Sequence, residues 1–237
     1  MAALSAEPVT TLRAVFFDVD FTLIYPGPMF QAEGYRLACA AMGVEVDPSR
    51  FDLATAASAF ILDEAEEQIY NHDLFIDYTA SIIEHMGGRG ANVVEVARQI
   101  YDQWAVNHHF EMYDDAAPAL RSLHESGLTV GVISNSHRSL VAFSEHFSLT
   151  GLIRVSVSSA EHGYMKPHRS IFDAALERAG VRATESLMVG DSLKHDVEGA
   201  LQAGMRAVLL RRSGEAPPAL PANVPMIQTL AQLTDVL

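Results

Sequence analysis

The sequence predicts an α/β fold: a doubly wound parallel sheet with a second, smaller, all-helical domain. Three observations predict it. Short apolar runs rich in β-formers recur at 14–19, 129–134, 153–158, 186–191 and 206–210. Helical patterns lie between the later runs, and a strand run followed by a helix, several times over, gives parallel strands covered on both faces. From about 27 to 110 that rhythm stops, and the chain shows helical faces without a convincing strand.

The first run, "AVFFDV", turns acidic at its end, with Asp18 and Asp20 two residues apart and Thr22 after them. "YPGP" at 25–28 breaks the chain and marks a hinge. Three helical faces follow: Phe30, Gly34, Leu37, Ala38 and Ala41; Phe75, Thr79, Ile82, Ile83 and Met86; and Val93, Val96, Ala97, Ile100 and Trp104. A second hinge falls near 106–115. An insert of about 80 residues is long enough to form its own small domain. The expected division is a core of residues 1–26 and 107–237 around a helical domain of 27–106.

Residues 115–127 then read as a helix, with Asp115 as its cap, Pro118 near its start and Gly127 at its end. After the strands at 129–134 and 153–158, "RSIFDAALERAG" places Ile171, Phe172, Ala175, Leu176 and Ala179 on one face, and Gly180 stops it. The strands at 186–191 and 206–210 complete the set. A Pro-rich surface connection, "GEAPPALPANVP", leads to "MIQTL" and a short helix docked on the core.

Composition narrows the function. Of 237 residues, 49% are hydrophobic and 19% charged, so the chain can bury a sizeable core. A formal net charge of -14 disfavours a nucleic-acid backbone or an anionic membrane as partner. The single cysteine, Cys39, excludes an intramolecular disulfide and reads as a small buried apolar residue. The N-terminal stretch lacks a basic start followed by a long apolar core, and no run reaches about 18 apolar residues, so the expectation is a cytoplasmic protein without a leader or membrane span. Monomer and homodimer both fit.

Three strand runs end in polar groups, where ligands of open parallel sheets bind. The first ends in Asp18 and Asp20, the second in Ser134 and Asn135, the fourth in Gly190, Asp191 and Ser192, with Asp196 one turn on. Singly, each is ordinarily a turn or a helix cap. Together they bring several carboxylates to one place, where two unit charges about 4 Å apart repel by about 4 kcal/mol at an effective dielectric of about 20. Either some protonate or a cation sits among them. Oxygen-only ligands suit a hard ion, of which Mg²⁺ is the natural choice.

The set "DVDFT" (18–22), "ISN" (133–135), "KP" (166–167) and "GDSLKHD" (190–196) resembles, in order, the four motifs of the haloacid dehalogenase superfamily. The helical insert between the first two is similar to that of its helical-cap phosphatase branch, whose core sheet is Rossmann-like. The resemblance covers about 12–26 and 110–212. It implies an aspartyl-phosphate mechanism acting on a small phosphate monoester. Asp18 would be the nucleophile. Asp20 would protonate the leaving oxygen and then activate water. Lys166 would neutralise charge. Mg²⁺ would be held by Asp18, Asp191 and the Asp20 carbonyl, with Asp196 behind them orienting water. Ser134, with backbone N–H groups near Val19, Asp20 and Asn135, would bind phosphoryl oxygens. Thr22 would tie the loop together.

Rival reactions are weighed by the same residues. A 2-haloacid dehalogenase attacks carbon and needs neither Asp20 nor Mg²⁺. A phosphonatase-like enzyme uses a cap lysine, and 27–106 contains none. A sugar-phosphate phosphomutase keeps both acids and stays open as the alternative. A non-catalytic phosphate-binding or interaction protein would retain the scaffold without turnover. Phe21 stands where many members have Gly and is expected to pack ordinarily, with a place in the pocket wall as the other reading. Surface or packing roles are expected for His72, Asp73, His85, His108 and His109, a helix-surface role for His195, and a solvated loop for Arg211 and Arg212.

Overall fold

A computed structural model describes residues 11–63, 68–215, 217 and 219–237. The leader reading concerns residues 1–10, and the Pro-rich connection includes 216 and 218, so these lie outside the described residues.

The strands, in chain order, are β1 (Ala14–Phe17), β2 (Ile24–Pro26), β3 (Phe110–Met112), β4 (Thr129–Ser134), β5 (Ile153–Ser158), β6 (Ser186–Gly190), β7 (Arg206–Leu210) and β8 (Met226–Ile227). Six of them form one parallel sheet in the order β5-β4-β1-β6-β7-β8. The sequence accounts for its five longer strands. Successive side chains alternate between two apolar layers. Val15, Phe17, Val130, Val132, Leu187 and Val189 join the layer under the helices Ala116–Glu125 and Leu140–His146. Ala14, Phe16, Ile133, Val157 and Met188 join the layer under Arg169–Ala179 and Gly199–Gln202. Both faces are covered, so the runs are apolar throughout.

The chain runs from β1 outward to β4 and β5, then returns to build β6, β7 and β8 on the other side. β1 therefore stands at the topological switch point, where the loops after the strands part and leave a crevice.

Helices Ala32–Ala41, Phe51–Ser58, Phe60–Asp63, His72–His85 and Val93–Gln103 lie between β2 and β3. The second and third predicted faces are buried much as read: Thr79, Ile82, Ile83 and Met86 in one, Val93, Val96, Ala97 and Ile100 in the other. Of the first, Phe30 is buried as read, but the helix after it turns a different side inward. Tyr35 and Cys39 are buried and Leu37 is 56% exposed. This helix is rich in alanine, so its apolar pattern offers two competing stripes, and the stripe with the aromatic buries more area. Burial also pushes the Cys39 thiol up to about 11, which makes it inert. β2 and β3 were not anticipated. They pair antiparallel, Ile24 with Met112 and Pro26 with Phe110, where the chain leaves for the helices and returns.

Asp115 does not cap its helix with its side chain. It accepts from Arg212 Nη1 and Nη2 at 3.0 Å each, from Thr229 Oγ1 at 2.7 Å and from the Leu230 amide at 2.9 Å. Arg212 also donates to the Thr22 carbonyl at 2.9 Å and lies 3.5 Å over the Tyr113 ring. Arg212 is therefore a clasp between the β1 loop, the helix start and the C-terminal turn, and not the solvated residue expected. Burial alone would raise the Asp115 carboxyl, but the hydrogen bonds from Arg212, Thr229 and Leu230 hold it below its ordinary 3.8. A depressed carboxyl contributes stability above the unfolded value, and that contribution is lost as pH falls through the folded one. Asp115→Asn is thus expected to destabilise the protein at pH 7 by about 1–3 kcal/mol. Its disadvantage should shrink below about pH 4. Urea melts of both proteins across that range check it; parallel curves at all pH values would contradict it.

Among the described residues, no helix is long and apolar enough to cross a membrane.

Candidate active site

β1, β4 and β6 end side by side, so the residues that follow them meet. After Phe17 the Asp18 amide still donates to the Val189 carbonyl at 2.9 Å, which keeps Asp18 aligned with β6. The chain then folds back. The Val19 carbonyl accepts from Leu23 at 2.8 Å and Ile24 at 3.1 Å, and the Phe21 amide donates to the Ile24 carbonyl at 2.6 Å. This tight loop puts Phe21 at φ +63°, the left-handed region that a bulky residue rarely occupies. Phe21 is 46% exposed and lines a cavity, so it is not packed ordinarily. Among the described residues the Thr22 hydroxyl is buried without a partner, and the loop is held instead through the Thr22 carbonyl and Arg212.

Lys166 comes from a separate loop and is buried, 3% exposed. Its Nζ donates to Asp18 Oδ1 and Asp196 Oδ1, both at 2.6 Å. Burial works against its charge, yet the two carboxylates hold its pKa well above the ordinary lysine value. Asn135, just past β4, brackets its backbone: the side-chain amide donates to the Lys166 carbonyl at 2.9 Å, and Oδ1 accepts from the Lys166 amide at 2.7 Å. The sequence assigned Asn135 a backbone role toward phosphate. The side-chain role was missed because it spans 31 residues and leaves no local pattern. The Ser134 hydroxyl is buried and donates to Ser136 Oγ at 3.0 Å.

Past β6, a π-helical turn over Leu193–Glu198 swings Asp196 beneath Gly190. Only glycine fits at 190, since a Cβ there would collide with the Asp196 carboxylate. Asp196 Oδ2 accepts from the Ser192 amide at 3.0 Å. Carboxylate oxygens of Asp18, Asp191 and Asp196 all lie within 4.8 Å of one another. Burial raises the Asp18 carboxyl well above its ordinary value, and the charges of Asp196, Asp191 and Asp20 add to this against Lys166. Burial, reinforced by Asp196, pushes Asp191 up to about 7. One ammonium thus faces more negative charge than it neutralises. A hard divalent cation would remove that excess, so the residues present fit one. Among the described residues no histidine joins this trio.

Asp20 points to a different partner. Its Oδ1 accepts from Arg138 Nη1 at 2.9 Å. Arg138 is fully buried, donates through Nη2 to the Trp104 carbonyl at 2.9 Å and lies 4.2 Å over the Phe110 ring. The sequence did not reveal it, because an arginine in a loop is ordinarily exposed. Asp20, Asn135 and Lys166 line one side of a cavity of about 220 Å³ that helical-insert residues close from above. His195 also lines it, 23% exposed, and burial lowers its pKa, so it is not a surface residue. Three of the histidines for which surface or packing roles are expected have such roles: His109 meets Gln103 at 3.1 Å, His85 bonds the Ser81 carbonyl and His72 pairs with Asp102 at 3.3 Å.

The model of the haloacid dehalogenase-like hydrolases matches residues 12–204. A glyceraldehyde 3-phosphate phosphatase from Methanopyrus kandleri is 30% identical over 209 residues, covering 85% of this chain and 84% of its own. A 2-haloacid dehalogenase from Pseudomonas syringae pv. Tomato is 25% identical, with TM-score 0.65 over 95% of this chain and 98% of that one. The magnesium-bound HAD-hydrolase YfnB from Bacillus subtilis shares the fold at TM-score 0.76 and 17% identity, over 96% and 99%. Motif order, strand-end placement and a family match over most of the length have one explanation: the chain belongs to the haloacid dehalogenase-like hydrolases.

Proposed function

We propose that this chain is a Mg²⁺-dependent phosphatase of small phosphate monoesters, with residues 27–106 acting as its cap. The observation that carries the reading is the placement of Asp20. It lies two residues past Asp18, faces the cavity and is oriented by a buried arginine. A leaving alkoxide needs such an acid; a leaving halide does not. This weighs against dehalogenation in spite of the dehalogenase among the structural neighbours. The similarity to a named phosphatase supports the same choice.

In this reading an Asp18 oxygen attacks phosphorus as the bond to the leaving oxygen breaks. The leaving oxygen takes the electron pair and a proton from Asp20. Asp20 then removes a proton from water, which attacks the aspartyl phosphate and releases inorganic phosphate and the Asp18 carboxylate. Lys166, locked by Asn135, offsets charge on Asp18 and the phosphoryl group. Ser134 and the backbone N–H groups of Val19 and Asn135 would receive phosphoryl oxygens. Arg138 engages one oxygen of Asp20 and leaves the other for the proton. Asp18, Asp191 and the Asp20 carbonyl would hold Mg²⁺, which when bound draws charge from the phosphoryl oxygens and offsets the carboxylates. Asp196 bonds Lys166 and the Ser192 amide, which suits a residue that orients its neighbours.

The test is phosphate release from a panel of small monoesters with Mg²⁺ and with a chelator. Release is expected with Mg²⁺ and should fall to background in chelator. Halide release from a 2-haloacid that survives chelation would overturn the reading, and isomerisation of a sugar phosphate without free phosphate would replace it with a mutase.

A further inference from the structure

The cavity beyond Asp20 and Lys166 is unlike one built for a sugar or an acid phosphate. Among the described residues, no lysine or arginine of 27–106 is turned toward it. Residues 27–106 contain no lysine, and their four arginines are Arg36, Arg50, Arg89 and Arg98. Arg36 pairs with Glu33, Arg50 with Asp47 and Arg98 with Asp73, while Arg89 donates to the Glu84 and Gly88 carbonyls. Among the described residues none of the four lines the cavity. Among the described residues, the lysines and the arginine of the core nearest the cavity are engaged as well. Lys166 is shared between Asp18 and Asp196, Arg138 is spent on Asp20 and the Trp104 carbonyl, and Lys194 donates to the Asp63 carbonyl. A second phosphate or a carboxylate on the substrate would enter without a counter-ion and lose its hydration.

Several of the polar groups in the wall are also engaged. Thr79 Oγ1 donates to the Phe75 carbonyl at 2.8 Å, Tyr101 meets the Tyr70 hydroxyl at 3.3 Å, and His195 Nδ1 lies 3.3 Å from Ser192 Oγ. A polyol buried there would leave hydroxyls unpaired. The rest of the wall is largely apolar, with aromatic rings beside Leu62, Ile100 and Met165. Phe75 and Tyr101 stack with centroids 5.1 Å apart and an interplanar angle of 1°, and the Phe21 and Trp104 rings meet at a tilt of 43° with centroids 6.5 Å apart. Apolar walls with a few convergent polar groups at one end suit a ligand whose body is apolar and whose head is polar.

Resting on the phosphatase reading, we propose that this cavity receives the leaving group, and that this group is an uncharged alcohol carrying a single ring-sized apolar body. Arylalkyl phosphates are then preferred over sugar phosphates and acid phosphates. The preference resides in the face formed by Phe21, Phe75, Tyr101 and Trp104.

The experiment compares esters of unactivated alcohols, so that leaving-group reactivity does not masquerade as recognition. Phosphate release is measured for benzyl phosphate, glycerol 1-phosphate and phosphoglycolate with Mg²⁺. Benzyl phosphate is expected to exceed both others in kcat/KM by about tenfold or more. Equal or better turnover of glycerol 1-phosphate or phosphoglycolate overturns the inference and leaves the phosphatase reading intact. Release from none of the three defeats the phosphatase reading for this panel, and recognition is then decided by binding. Trp104 is the sole tryptophan and lines the cavity, so its fluorescence reports occupancy without turnover. Benzylphosphonate is expected to bind about tenfold or more tightly than phosphonoacetate; equal or weaker binding overturns the inference.

Discussion

Asp18→Asn is expected to lower phosphate release by on the order of 10⁴-fold or more while the protein stays folded. The substitution keeps the shape of the side chain and its ability to accept from Lys166. What it removes is the anionic oxygen that would form the bond to phosphorus. No neighbour can take over: Asp196 is held by Lys166 and the Ser192 amide, and Asp20 by Arg138. Stability should move the other way. Burial and three neighbouring carboxylates raise the Asp18 carboxyl, so its charged form is a strain on the metal-free fold. In chelator the variant is expected to melt at or above the parent, and Mg²⁺ should stabilise it less. Initial rates and thermal melts with and without Mg²⁺ decide both halves. Residual activity within about tenfold of the parent would sink the nucleophile assignment.

Lys166→Met should harm both function and stability. The ammonium lies 2.6 Å from two carboxylates, and Asp196 is 1% exposed. Truncating one partner of a buried pair leaves the other charge unpaired, a loss of about 3–5 kcal/mol. In a chain of this size that is a fall of about 10 °C in melting temperature. A cation among the carboxylates replaces part of the lost charge, so the deficit should be larger in chelator than in Mg²⁺. Activity is expected to drop by about 10²–10³-fold, the cost of losing one group that stabilises developing charge. Lys166→Arg should not rescue it, because a planar fork cannot bring one nitrogen between Asp18 and Asp196. Denaturant melts in both buffers, with rates alongside, check the set. A stability loss under about 1 kcal/mol in chelator would show that the pairs are not structural.

The residues explain what sequence could and could not reveal. The long strands were legible because both faces are buried, so Val15, Phe16 and Phe17 are all apolar and all inside. Helix ends were legible where one residue decides them, as at Gly180 with φ +64°. The acids were legible because strand ends of parallel sheets converge. Strands of two or three residues, β2, β3 and β8, carry too little pattern to read. The Ala32–Ala41 face was ambiguous because small residues surround the helix. Asn135 with Lys166, Arg138 with Asp20 and Asp115 with Arg212 join positions 31, 118 and 97 residues apart. Their partners are chosen by the packed fold, and local spacing holds no trace of them.

The β2–β3 pair has a consequence for how such a chain can change. Closing a flexible loop costs entropy that grows with the logarithm of its length. Here Ile24 pairs with Met112 and Pro26 with Phe110, so the ends of the long excursion are fastened to each other before they reach the sheet. The sheet therefore meets a hairpin rather than two loose tethers. Lengthening, shortening or replacing what lies beyond the hairpin leaves the spacing of its two feet unchanged. Diversity can accumulate in the helices that shape the cavity while the strand ends that carry the acids are left undisturbed.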